Sequence, residues 1–200
     1  MENQCGNSRI AGCSFSVHPM SDQFVSYIKG SLQEVDTSNV WMKTDDVTTT
    51  VRGRMEHVFD VTKAILLHIA KTDVHVAFQG TFSIGCPGDS SGDVYMEETT
   101  ERLNEKDTSD IQQYSAAKFS LYPMGGGDYM DTIYSQIEAM KEKGVTVSPA
   151  HYSTRLEGDT NAIFTGLEDV FRETENSGSS HTVMTVTISA NSPTHKEKQS

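Results

Sequence analysis

The hexapeptide FSVHPM at residues 15–20 recurs as FSLYPM at residues 119–124, so Phe15, Ser16, Pro19 and Met20 meet identical residues 104 positions later. Further on, HVAFQGTFSIGCP from His75 aligns with HTVMTVTISANSP from His181, matching Thr81 with Thr187, Ser83 with Ser189 and Pro87 with Pro193 at a spacing of 106. Two anchors that almost keep their spacing define one module of about 80 residues used twice, large enough to fold around its own core. The expected units are residues 9–88 and 114–194, with residues 89–113 as the connector.

Each copy spells the same order of elements. In the first, Phe15 and Val17 alternate with Ser14, Ser16 and His18, the period of a strand buried on one side, and Pro19-Met20-Ser21-Asp22 ends it. Phe24, Tyr27, Ile28, Leu32 and Val35 then follow helical spacing behind Asp22 as N-cap. Val40 to Met42 and Val47 to Val51 read as short strands around a turn at Thr44-Asp45-Asp46. A second amphipathic face runs from Met55 to Ile69, and Val74 to Ile84 closes the unit. The second copy predicts strands at Lys118–Tyr122, Val145–Val147, Tyr152–Leu156 and Thr182–Ser189. Its helices are expected from Asp128 to Lys143, stopped by Gly144, and through Ile163, Leu167, Val170 and Phe171. The order βαββαβ, twice over, predicts an α+β chain of tandem ferredoxin-like domains, each a four-stranded antiparallel sheet covered by two helices.

That architecture leaves one sheet face without helices. In the first copy it should carry Ser14, Ser16 and His18 with Ala77, Gln79, Thr81 and Ser83, a small and polar set that invites sheet-mediated assembly, face to face or edge to edge. The connector, with eight acidic and two basic residues across 86–114, reads as exposed. It contributes half of the formal net charge of −12, a balance that repels nucleic acid and anionic membranes. No segment approaches the apolar length of a membrane span, and the start resembles no secretory leader, so a cytoplasmic protein is expected. Cys5, Cys13 and Cys86 form no paired motif and are expected to stay reduced.

Metal-binding, phosphate-loop and nucleophile-elbow motifs are missing from the sequence. Gly125-Gly126-Gly127-Asp128 opens a helix but has no counterpart in the first copy, and it reads as a turn before an N-cap. Duplicated polar residues among apolar neighbours are more informative. Thr49, alternating with Val47 and Val51, should turn its hydroxyl into the sheet-helix layer near Val17, and Ser153 should do so near Leu121. Each hydroxyl is either a satisfied core donor or the anchor of a ligand pocket. His18 and Tyr122, before each Pro-Met turn, could stack on a ring. Arg155, placed by this alignment opposite Val51, would make the two pockets unequal.

The paired FSVHPM and FSLYPM strands, the two βαββαβ copies, the length and the acidic connector resemble the YkoF-type thiamine/hydroxymethylpyrimidine-binding family, over nearly the whole chain. The resemblance implies a cytoplasmic homodimer of tandem ferredoxin-like, ACT-like domains. It implies one molecule of thiamine or of its hydroxymethylpyrimidine moiety per domain, no cofactor and no catalysis, and a role in vitamin-precursor salvage with a functional link to a transporter. Two other readings stay open at this point: a cofactor-independent enzyme of the dimeric plait type with His18 or His151 as base, and an ACT-like small-molecule sensor.

Overall fold

The computed structural model describes residues 10–86, 99–125 and 129–195. Cys5 and the Gly126-Gly127-Asp128 stretch lie outside the described residues. The first repeat comprises β1 (Ala11–Pro19), α1 (Phe24–Glu34), β2 (Val40–Thr44), β3 (Thr49–Gly53), α2 (Met55–Ala70) and β4 (Val76–Ile84). A short helix, α3 (Glu105–Thr108), leads into β5 (Tyr114–Met124), α4 (Met130–Glu142), β6 (Thr146–Ala150), β7 (Ser153–Asp159), α5 (Thr160–Asn176) and β8 (His181–Ala190). Every neighbouring strand pair is antiparallel, and the two ferredoxin-like sheets meet edge to edge. The result is one continuous eight-stranded sheet, β2-β3-β1-β4-β8-β5-β7-β6, with β2 and β6 at its edges.

The seam between repeats is β4 against β8, paired from Val76↔Ala190 to Ile84↔Thr182. Its midpoint is Gly80↔Val186. These two residues are equivalent under the spacing of 106, so a pseudo-twofold axis passes between them and relates the two copies. Glycine is required on one side of that axis, because a Cβ on residue 80 would come 2.8 Å from the Phe78 ring.

Strand alternation sorts residues as the sequence predicts. Ala11, Cys13 and Phe15 of β1, Phe78 and Phe82 of β4, and Met184, Val186 and Ile188 of β8 are buried on the helix-bearing face. The central helices complete the core. In α2 fifteen of its sixteen residues are buried, far more than an amphipathic surface helix allows, because α5 and the connector cover its outer side. Phe59 of α2 stacks on Phe82 with ring centroids 4.4 Å apart and meets Phe171 of α5 at 6.0 Å, so aromatic packing crosses between repeats.

Most described residues of the connector are exposed, as expected, but it also docks onto α2 and α5: Asn104 and Thr108 are buried, Lys63 pairs with Glu105 at 2.8 Å, and Arg102 reaches Glu168 at 2.6 Å. Buried Lys63 of α2 neutralises Glu105 of the connector, and the connector's Arg102 answers Glu168 of α5. A smaller difference concerns the start of α1. Gln23, not Asp22, occupies its N-cap, without a capping side-chain bond.

The end of α2 carries a titration consequence. Burial, and then the neighbouring Lys71 ammonium, push the His68 imidazole below its ordinary value of 6.5 despite the nearby Glu34 carboxylate. A histidine held neutral in the fold favours folding above its unfolded pKa, and that contribution is lost as pH falls below about 6.5 and the unfolded chain takes up the proton. Stability should therefore decline with acidification from about pH 6.5, and His68→Gln should flatten that limb, as read by urea midpoints across pH.

Candidate functional site

The outer helices differ from the central pair. The buried residue of α1 is Ser31 and that of α4 is Met140, while Phe24, Val25, Met130 and Tyr134 are exposed. Between α1 and its strands, Val17, Tyr27, Ile28, Leu32 and Met42 are apolar yet half-buried, and Leu121, Ile133, Ile137 and Val147 repeat the arrangement between α4 and its strands. Each repeat thus leaves apolar side chains only partly covered between an outer helix and the strands beneath it, a face we call its groove. Such a groove binds flat, partly apolar molecules when a few polar groups fix their orientation.

The polar group of the first groove is Thr49. It stands opposite Phe15 on the helix-bearing face, and its Oγ1 lies 2.9 Å from that of Thr44 in the neighbouring strand. This hydroxyl pair offers one donor and spare acceptor capacity at the groove's edge. Val51 is buried below it. Val47, expected to alternate with them in the strand, instead precedes β3 and is 76% exposed.

The second groove departs from the sequence alignment by one residue. Phe119, the equivalent of Phe15, stands opposite Thr154, so Thr154 takes the place of Thr49 and Leu156 that of Val51. Ser153 corresponds to Thr48 and faces the helix-free side, where its hydroxyl has only a long 3.4 Å contact to the His151 carbonyl. A slip of one residue moves a side chain to the opposite face of a sheet. Arg155 likewise corresponds to Thr50 on the open face, where it pairs with Glu157 at 2.9 Å. The two grooves do differ, for another reason: the position of Thr44 is taken by Pro149, opposite Thr154, so the second groove holds one threonine hydroxyl where the first holds two.

Val17 and Leu121 are half-buried on the helix-bearing face, packed against the core. His18 and Tyr122 do not join them. They project from the helix-free face, where His18 Nε2 meets Ser16 Oγ at 3.0 Å and Tyr122 is 52% exposed. His18 and Thr49 therefore belong to opposite faces of the sheet and cannot grip one ligand. His151 sits exposed in the β6–β7 turn.

A cavity of about 550 Å³ lies elsewhere, lined by Arg54, Met55, Glu56, Ile84, Arg172, Glu175 and Asn176. Its charges are largely answered within the protein: Arg172 pairs with Glu56 at 2.7 Å and with Glu168. Burial raises the Glu168 carboxyl even against Arg102 and Arg172, whereas at Glu56 the pull of burial is overcome by Arg172 and the carboxyl stays below its ordinary value. Among the described residues no group of three or more His, Cys, Asp or Glu side chains could hold a metal, and no helix is long and apolar enough to cross a membrane.

One relative, named "Putative HMP/thiamine-binding protein YkoF" from Bacillus subtilis (strain 168), is 46% identical over 199 residues, covering all of this chain and 99% of its own length. Among solved structures, a domain of unknown function from Bacillus cereus is 19% identical with a TM-score of 0.35 over 39% of this chain and 76% of its own. The Streptococcus pneumoniae protein SP2199 is 15% identical with the same TM-score, over 43% and 96%. The profile of the YKOF-related family matches twice, at residues 10–89 and 114–195, once for each repeat. With both repeats matched and a full-length relative at this identity, the chain belongs to the YKOF-related family.

Proposed function

We propose that the chain binds thiamine or its hydroxymethylpyrimidine moiety, one molecule in each groove, without converting it. We further propose that it serves the salvage or transport of the vitamin precursor in the cytoplasm as a homodimer. The observation that carries the reading is the duplicated half-covered groove, apolar along its floor and edged by a threonine hydroxyl in each repeat. The name of the 46% identical relative supplies the ligand. The chemistry suits it: an aminopyrimidine presents ring-nitrogen acceptors and an amino donor to hydroxyls and strand-end backbone groups, while its faces lie on Val, Ile, Leu and Tyr side chains. A cationic thiazolium also meets a chain of net charge −12 favourably.

Calorimetric titration with thiamine should reveal two sites of unequal affinity, because Thr44 and Thr49 face one ligand and Thr154 beside Pro149 the other. Thr49→Val should weaken the first site by about 0.5–1.5 kcal/mol and Thr154→Val the second, each leaving the other nearly unchanged. Ser153→Ala should change neither. Loss of binding on Ser153→Ala, or indifference to both threonine changes, would remove the hydroxyls from the site. Product analysis after incubation tests the absence of turnover, and sedimentation equilibrium tests the dimer, for which the helix-free face rich in Ser and Thr offers the surface.

A further inference from the structure

We propose that Asn104, a connector residue outside both repeats, is a positioning residue for the first groove and sets its affinity without touching the ligand. The proposal rests on the binding reading above. Asn104 is 2% exposed and spans two elements: its Oδ1 accepts from the Asp36 backbone N–H at 2.7 Å, and its Nδ2 donates to the Asp36 carbonyl at 3.0 Å and to Asp60 Oδ2 at 2.8 Å. Its own backbone N–H donates to the same Asp60 oxygen at 3.0 Å. Asp36 follows the C-cap residue of α1, and Asp60 lies within α2, so one connector side chain stitches the end of the groove's cover to the core helix.

The remaining polar ties between α1 and α2 sit at the same end. Ser31 Oγ donates to the Ile65 carbonyl at 2.8 Å, and Glu34 accepts from Lys71 and contacts His68 Nδ1 at 3.1 Å. Of the α1 residues over the groove, Leu32 lies at the tied end, whereas Phe24, exposed, and Tyr27 and Ile28, half-buried, belong to the other half. The helix is thus a beam fixed at its C-terminal end. An 11-residue helix is roughly 16 Å long, so a rocking of about 5° at the fixed end moves the far end by about 1.4 Å. That is enough to open or close van der Waals contact with a flat ring. Loosening the fixed end lowers the fraction of molecules whose groove is shaped to bind, and apparent affinity falls in proportion to that fraction. In the second repeat the end of α4 is tied by Lys143 to Asp169 of α5, a link that does not involve the connector.

The test compares the full-length protein with its Asn104→Ala variant by thiamine calorimetry, the two sites being assigned with Thr49→Val and Thr154→Val, alongside hydrogen exchange of the α1 amides. First-site affinity is expected to fall about tenfold while the second stays within about twofold, with faster exchange in α1. Equal affinities in variant and wild type overturn the proposal, as does equal weakening of both sites, which would mark a general loosening of the fold. A wild type that binds no thiamine rejects the binding reading, and this proposal with it, before any variant is made. If the alanine variant does not fold, Asn104→Ser, which keeps a hydroxyl for Asp60, must show the same one-sided loss in smaller measure.

Discussion

Replacing Phe59 by alanine is expected to cost about 3–5 kcal/mol of stability while both repeats still unfold together. The ring is buried, stacks on Phe82 of its own repeat at 4.4 Å and meets Phe171 of the other repeat at 6.0 Å. Its removal deletes the transfer energy of a whole aromatic side chain and leaves a cavity beneath two packed central helices that have little room to collapse. The loss falls on both repeats, because β4 and β8 share a nine-residue register and Arg172 of α5 pairs with Glu56 of α2 across the helix pair. The single tryptophan, Trp41, lies in β2 of the first repeat and reports on that repeat alone, whereas circular dichroism reports on both. Coincident urea transitions by the two probes, shifted together in Phe59→Ala, are expected. Separate transitions would mean that the repeats are thermodynamically independent despite the continuous sheet.

How far the sequence leads can be judged from β3 and β7. The repeat disclosed the order of all eight strands and four long helices, because each has alternating or helical periodicity and a breaker at its end, such as Gly144 at a φ of 82°. It did not disclose the register of β7. Pro149 already stands 105 positions after Thr44, as Thr154 does after Thr49, so the extra residue of the second repeat lies between β5 and β6 and shifts both following strands. The spacing of 104 from the first strand therefore fails from β6 onward, and Thr154 rather than Ser153 matches Thr49. The glycines ending the two strands held the correction: TTVRG at 49–53 and TRLEG at 154–158 align Thr, the apolar residue and Gly at a spacing of 105. The docking of the connector was less legible, since a single Asn with four bonds to Asp36 and Asp60 has no periodicity to betray it.

Filling a groove should have a larger effect on binding than deleting its hydroxyl. Leu121→Trp places a large ring on the helix-bearing side of β5, at a residue that is only half-buried. In a closed core such an enlargement forces neighbouring side chains off their rotamers at about 1–3 kcal/mol, but beneath the partly uncovered α4 the ring can lie along the groove. There it occupies the volume assigned to the ligand. Second-site affinity should fall more than about a hundredfold, roughly 2.7 kcal/mol, with a change in urea midpoint smaller than that of Phe59→Ala. Val17→Trp should do the same to the first site. Each variant contains its own control, because the untouched groove lies on the far side of the pseudo-twofold axis and should bind as in the wild type. The pair of variants also separates the two faces of the sheet. His18→Ala and Tyr122→Ala alter residues that project from the helix-free face and should leave both affinities intact. Should the tryptophan variants bind normally while the His18 and Tyr122 changes abolish binding, the ligand lies on the open face, and the grooves under α1 and α4 are imperfectly packed edges of the core.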